Sequence, residues 1–381
     1  MTKRIIASFV LMAILFGCQE QGKYEGQHFE ERKNELSLLN AANDNIERAV
    51  VVEEKMTIGA IGDVLLHNRV YELAETDEGK YDFSPMLEEV AHLLEKPDFL
   101  MANQESMPGG VEIGLSSYPA FNSPQEIVEN LQDVGVDMVI GANNHTLDRG
   151  MKAVNSALNF YDEIEMDYVG VYRNTEDRET DRIVEMDGIS VGVLAYTYGT
   201  NGIPIPQNHP DVVALIEPNR IVSDVANLKE KTDVVVVHMH WGDEYKREPN
   251  QEQRQLAQTL SEAGVDIIYG HHPHVLQPIE IVENDVNDNE TIVFYSLGNF
   301  LSGQYFDFTD IGGIGTVEIT KITNGEDVEV SIKNPEIIPT LVVQENDLYR
   351  VKPLESTDGS PITGSTFKET IAHTLLYLDE E

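Results

Sequence analysis

The chain has one cysteine, Cys18, and one tryptophan among its 381 residues, and only 26 Lys+Arg stand against 67 Asp+Glu. A lone cysteine excludes an intramolecular disulfide, and its place near the start excludes a cysteine nucleophile in the folded part. The shortage of basic residues leaves a formal charge of −41. That field repels nucleic acid and anionic headgroups, so neither is an expected partner. No internal repeat is evident, and the apolar run Ile5 to Phe16 is too short for a membrane span.

That run does match the core of a secretory leader, with Lys3 and Arg4 as its basic start. Leu15-Phe16-Gly17-Cys18 resembles a bacterial lipobox, so residues 1–18 are expected to be a lipoprotein signal peptide and Cys18 the lipidation site. Each buried methylene of the acyl chains contributes about 0.8 kcal/mol, enough in sum for stable anchoring. The expected location is extracytoplasmic, lipid-anchored to the bacterial cell membrane. Residues 19–54, rich in Glu, Asn and Gln, read as a polar tether, helical in part near 29–42.

From residue 55 short apolar runs alternate with amphipathic segments, the pattern of an α/β protein. Strands are expected at 56–61, 99–102, 138–141, 168–171, 191–196, 234–238, 267–269 and 291–296. Helices are expected at 85–94, 124–134, 151–164, 218–229 and 251–263, with Pro85, Pro124 and Pro218 near their starts, where a missing N–H costs little. Asp187-Gly188 joins 182–186 to 189–196 as a hairpin, so the sheet is mixed. A main domain is expected over 55–308. Residues 309–381 then supply a hairpin about Asn324-Gly325, a strand near 336–343 and a closing helix near 368–378, packed on the domain or extending it.

Seven of the eleven histidines fall in four clusters, each after an apolar run: His67, His145, His238 with His240, and His271, His272 and His274. Oxygen and nitrogen donors gathered at sheet ends point to a divalent metal site, of one or two ions. Asp63 leaves the first strand through Gly62 at the end where open α/β sheets place ligands. His67, four residues on, reaches the same ion only through a tight turn. Asn103 and Glu105 share a face at strand spacing, Glu105 as ligand or bridge and Asn103 behind it. Asn144 and His145 form a compact donor pair, with Asp148 placed either to orient His145 or to cap the next helix. His238 and His240 share a strand face, and His240 is preferred because it directly precedes Trp241-Gly242, where the chain leaves the sheet. Glu244 is open between an acid/base role and an ordinary loop carboxylate. In 271–274, Pro273 stiffens the turn and favours His272 with His274 as a chelating pair, leaving His271 beside it. Ser296 has no general base nearby and is read as structural.

The ordered motifs GDVLLH, NQE, GANNHTLDRG, HWGDEY, GHHPHVLQP and FYSLGNF resemble those of the CapA family of capsule and poly-γ-glutamate biosynthesis proteins, over roughly residues 56–303. That family is similar to calcineurin-like metallophosphoesterases, which implies a four-layer sandwich of two mixed sheets flanked by helices. It also implies divalent ions of Mn, Zn, Fe or Mg type. By residue, the resemblance makes Asp63 the first acidic ligand, Glu105 the bridging acid, Asn144 and His145 the asparagine–histidine pair, His240 the middle histidine, and His272 with His274 the last pair. The sequence departs from the phosphoesterase pattern in spacing His67 four residues from Asp63 and in placing Glu at the bridge. The implied work is on an anionic polymer or a phosphoester, with His145, Asp148 and Glu244 as the catalytic candidates. The implied alternatives are a non-enzymatic accessory that binds polymer or docks a membrane synthase, and a secreted metallophosphoesterase of another substrate class.

Overall fold

Fourteen strands fall into two sheets in the computed structural model, which describes residues 51–287 and 290–378. The leader, Cys18, nearly all of the tether and its helix at 29–42 lie outside the described residues. In the first sheet β1 (Val51–Leu65), β2 (Phe99–Gln104), β3 (Met138–Ile140) and β4 (Asp167–Val169) run parallel. The second is built on β6 (Ile189–Thr197), β7 (Val234–His240), β8 (Ile267–His271) and β10 (Glu290–Phe294), also parallel, with β5 (Ile183–Met186) and β9 (Ile279–Glu283) as antiparallel edges. The first sheet gains β11 (Asn299–Ser302), parallel to β1, and continues past β1 through β12 (Ile311–Asn324), β13 (Asp327–Glu345) and β14 (Leu348–Pro353).

The uniformly apolar β7 shows why the layers stack. Val234 and Val236 enter the core shared with the first sheet, while Val235 and Val237 face a second core that holds Ile221, Val225 and Leu228 from the helix Pro218–Lys229 and Ala257 and Leu260 from the helix Gln251–Glu262. A strand buried on both faces needs a partner on each side, so the second sheet sits between helices and the first sheet. Ile127, Val128, Leu131, Ala153, Val154 and Leu158 from two other helices join the large core with the first sheet. The fold is therefore α/β, two mixed sheets flanked by helices in four layers. All of the candidate donors lie within one compact unit, Glu53–Thr323 with Val328 onward.

Several boundaries differ from the sequence expectation. β1 begins at Val51, inside the expected tether. The helix expected at 85–94 is two short ones, Ser84–Leu87 and Ala91–Leu94. The second strand of the hairpin about Asn324-Gly325 and the strand expected near 336–343 are one 19-residue strand, which passes Asn334 in the left-handed region, φ 54°, without ending. The Asp187-Gly188 hairpin takes positive φ at both residues, 50° and 80°, the twist such turns require.

Candidate metal centre

Each candidate donor sits at or just beyond the C-terminal end of a parallel strand, and the two sheets bring those ends together. β1 shifts register at Asp63, whose N–H donates to Gly298 O at 2.7 Å. This turns the carboxylate into the site with no solvent exposure. Oδ1 of Asp63 accepts from Asn103 Nδ2 at 2.7 Å, and Oδ2 lies 3.0 Å from His274 Nδ1 and 3.4 Å from the His272 N–H. Asn299 at the start of β11 holds the other side of His274, its Oδ1 3.1 Å from Nδ1. Both His272 and His274 adopt positive φ, 96° and 59°. Backbone strain of this kind costs on the order of 1 kcal/mol and persists where surroundings enforce it.

Glu105 is the second fully buried carboxylate, and neither of its oxygens has a hydrogen-bond partner. His240 Nε2 lies 3.6 Å from Oε1 and His274 Nδ1 3.7 Å from Oε2. On the other flank His240 Nε2 lies 2.9 Å from Asn144 Oδ1. His145 Nδ1 lies 2.6 Å from Asp148 Oδ2, which also accepts the Phe121 N–H, and the Phe121 ring packs edge-on against His145. Asp148 thus fixes the imidazole and leaves Nε2 as its free nitrogen.

Two residues that carry no distinguishing signal in the sequence complete this flank. Asn201, φ 51°, accepts from Asn144 Nδ2 at 3.2 Å and brings its own Nδ2 to 3.3 Å from His145 Nδ1. Tyr198, half exposed, packs its ring against His240 and His272. Both lie in the turn after β6, so the second sheet clamps a loop of the first. Asn201→Ala is expected to weaken metal affinity by about 10–100-fold, the range typical of groups that orient ligands; competition titration against a chromogenic chelator measures it.

The other candidates surround this cluster. His238 Nδ1 lies 3.1 Å from His271 Nε2 and its Nε2 3.1 Å from Met101 Sδ, between the sheets. His271 Nδ1 reaches only 3.6 Å from Asp63 Oδ1. His67 Nδ1 lies 3.2 Å from Leu65 O and 3.3 Å from the Gly303 N–H, and its ring packs on Phe121. Trp241 is buried packing, its indole N–H donating to Tyr295 O at 3.0 Å. Arg149 is spent on Gly114 O, Ile113 O and Ser116 Oγ, and Arg247 stacks on Phe308.

Electrostatics mark the centre as built for a cation. Burial pushes the Asp63 carboxyl up, but the His271 and His274 imidazoles more than offset it and hold the group well below the usual carboxylate range. Glu105 is pushed well above that range by burial, relieved in part by His274 and reinforced by Asp63 and Glu244. Burial lowers His274, yet Glu105 and Asp63 outweigh it and raise the group to about 9. His240 is driven well down and His272 to about 3, in both cases first by burial. The unpartnered Glu105 oxygens and the unpartnered Nδ1 of His272 are donors of the kind a metal takes up, and His240 offers Nε2, the nitrogen that faces Glu105 and Asn144. Two donor groups of atoms mutually within 4.8 Å share Glu105: Asp63–Glu105–His274 and Glu105–His240–His272. The residues fit a pair of divalent ions. Mixed imidazole and carboxylate donors suit Mn, Fe or Zn better than Mg, which prefers oxygen alone.

These shifts make metal affinity pH-dependent. Glu105 and His274 both hold protons more tightly than usual without metal, and both must lose them to ligate. Divalent-metal affinity is therefore expected to rise from mildly acidic to mildly alkaline buffer, with protons released on binding. Calorimetric titration in buffers of different ionisation enthalpy counts those protons, and an affinity flat with pH would contradict the assignment of these two ligands.

The 57–304 segment that carries all of the candidate donors matches the family profile described as bacterial capsule synthesis protein PGA_cap. The PGA biosynthesis protein CapA of Bacillus subtilis (strain 168) is 32% identical over 233 residues, 58% of this chain and 60% of that protein. The capsule biosynthesis protein CapA of Bacillus anthracis is 29% identical over 261 residues, 66% of this chain and 61% of that one. The match thus spans about three fifths of the length of these relatives. Among solved structures, the Haemophilus influenzae NAD nucleotidase aligns at TM-score 0.47 with 13% identity, covering 84% of this chain and 66% of that one. A putative 5'-nucleotidase from Staphylococcus aureus aligns at 0.45 with 16% identity, covering 75% and 54%. With the profile extending over more than half its residues, the chain belongs to the PGA_cap family of bacterial capsule synthesis proteins.

Proposed function

We propose that this protein takes part in making or exporting a capsule polymer of the poly-γ-glutamate type, as a lipid-anchored extracytoplasmic protein with a metal-dependent hydrolase or transferase site. The observation that carries the catalytic part is Glu105, a fully buried carboxylate with both oxygens unpartnered, shared by two histidine-containing donor groups. Ionising a buried carboxylate that has no hydrogen bonds costs several kcal/mol, so burial holds Glu105 toward its protonated form until a cation meets it. Family membership supports the polymer, and the leader with Cys18 supports the anchor. Among the described residues no helix is long and apolar enough to cross a membrane.

Asp63, Glu105 and His274 would hold one ion, and Glu105, Asn144, His240 and His272 the other. Bound divalent metal supplies Lewis acidity toward a phosphoryl or acyl oxygen and lowers the pKa of water. His145, fixed through Nδ1 by Asp148, can carry a proton at Nε2 to a leaving atom. Tyr198 is kept protonated, its hydroxyl pushed up to about 12 by burial and then by Glu244 and Glu105, and its half-exposed ring lines one wall of the site beside His240 and His272.

The test is metal analysis of the purified chain together with turnover of model phosphoesters and γ-glutamyl amides, for wild type and His274→Ala. Stoichiometric metal with turnover, both lost in the variant, is the expected result. Metal without turnover on either panel would favour a polymer-binding or synthase-docking accessory instead.

A further inference from the structure

Glu244 belongs to the open flank of the metal centre, with a carboxylate oxygen within 4.8 Å of donor nitrogens on His272 and His274. A separate cavity of about 360 Å³ lies on the helical side of the second sheet, between Leu194 of β6, the 178–182 segment and the helix Pro218–Lys229. That helix divides its residues at helical spacing. Ile221 and Val225 enter the second core, while Arg220, Ser223, Asp224 and Asn227 line the cavity. None of the metal-centre donors takes part in it.

Three of the chain's twelve arginines, Arg178, Arg182 and Arg220, meet around this one cavity. Arg182 is spent, its Nε on Tyr168 O and its terminal nitrogens on Asp177 and Thr180 O. Arg178 is not. It is only 8% exposed, and among the described residues its single hydrogen bond runs from Nη2 to Asp224 Oδ2 at 2.5 Å. The Tyr172 and Tyr196 ring centroids lie 5.3 and 5.8 Å from its Cζ, and the Tyr196 hydroxyl donates to the same Asp224 oxygen at 2.7 Å, so the guanidinium is fixed in place. Its Nε and Nη1 have no partner, yet neither is sealed in protein. Arg178 and Arg220 line both this cavity and a smaller one of about 50 Å³ beside it, which is the space those nitrogens open on. Arg220 likewise gives only Nη2, to Asp211 at 3.3 Å.

From this arrangement we infer that the cavity is a second ligand site, for a small molecule carrying a carboxylate or phosphate group that sits on Arg178 with Arg220 at its rim. A guanidinium has five N–H groups in a planar fork, with two edges that each present a pair. Asp224 takes one N–H of Nη2, so whichever it takes, one two-donor edge remains for the two oxygens of such a group. A buried ion pair that served stability alone would complete its donors. The carboxylates around the cavity do not compete for that edge. Asp181 is held by Asn227 at 2.9 Å and by Lys231, Asp224 by Arg178 and Tyr196, and Glu179 is exposed. Each of the three arginines faces one aspartate, so the walls are close to neutral in a chain whose formal charge is −41. An anion repelled elsewhere on this surface can enter here.

Calorimetric titration of the full chain with inorganic phosphate and, separately, with succinate tests this in wild type, Arg178→Lys, Arg220→Gln and His274→Ala. Wild type is expected to bind one equivalent of at least one probe, and His274→Ala to retain it, since the metal centre is elsewhere. Any further equivalent that His274→Ala loses belongs to that centre. Arg178→Lys keeps the charge but not the fork, and is expected to weaken the retained equivalent by about tenfold or more, the value of a hydrogen bond between charged groups. Arg220→Gln changes an exposed side chain and is expected to weaken it by about threefold, with folding and metal content unchanged; it decides the matter if Arg178→Lys fails to fold. Binding of succinate alone would assign a carboxylate, of phosphate alone a phosphate group, and of both the chemistry they share, each in support of the site. No saturable binding of either probe up to about 10 mM, affinity unchanged in both arginine variants, or binding abolished in His274→Ala would overturn it.

Discussion

Asp63→Asn is expected to lower divalent-metal affinity by at least about 100-fold, beyond the 10–100-fold that groups behind the ligands contribute, while leaving the chain folded. The substitution keeps shape but removes the charge, and it also breaks the hydrogen-bond pattern. Oδ1 accepts from Asn103 and Oδ2 faces His274 and the His272 N–H. An asparagine has one acceptor oxygen, so its amide must oppose a donor on one side whichever way it turns. Without metal the loss is expected to be about 3 kcal/mol, as for a broken buried ion pair. In denaturant titrations of chelated protein the midpoint should fall with the slope retained. The pH sense is fixed by the depressed carboxyl of Asp63. Its stabilisation is present above the unfolded pKa of about 4 and disappears as pH falls through the lower folded value. The gap between wild type and Asp63→Asn should therefore close in acid. A variant that binds metal as wild type does would remove Asp63 from the ligand set.

The strands that carry donors were legible because burial on both faces makes them continuous apolar runs, as in β7, and parallel sheets place the residues after such a run at the ligand-binding end. Hence Asp63, Glu105, Asn144, His240, His272 and His274 could be named as candidates before their meeting was known. Tyr198 and Asn201 could not, since Thr197-Tyr198-Gly199-Thr200-Asn201 reads as an ordinary turn. Their contact with Asn144 and His145 exists only once the two sheets pack. Asn299 was within reach, in the motif FYSLGNF, but its part depends on β11 returning to pair beside Asp63. That pairing joins Asp63 to a residue far along the chain, and a four-residue strand carries too little pattern to announce it. β13 was split in two for a related reason. Asn334-Pro335 is a turn signal locally, and only neighbours on the sheet carry the strand past it.

Gly62→Ala is the second change with a large expected effect, and it reaches the site through backbone alone. A Cβ on Gly62 would lie 2.2 Å from Gly298 O and 2.6 Å from Leu297 O. The next residue is Asp63, whose N–H bonds the same Gly298 O. Gly298 cannot withdraw. It is itself at φ 62°, and a Cβ there would lie 2.7 Å from Ile311 O, so the segment is enclosed on the far side. β1 must move instead and carry Asp63 away from His274. The expected cost is about 2–3 kcal/mol, typical of overpacking, together with loss of metal affinity comparable to that of Asp63→Asn. Gly79→Ala is the contrasting case, since Gly79 has φ 72° but nothing within 4 Å of its Cβ position. It should cost only about 1 kcal/mol of left-handed strain and leave metal binding intact. If Gly62→Ala behaved like Gly79→Ala in both thermal unfolding and metal titration, close backbone approach would not be what positions Asp63.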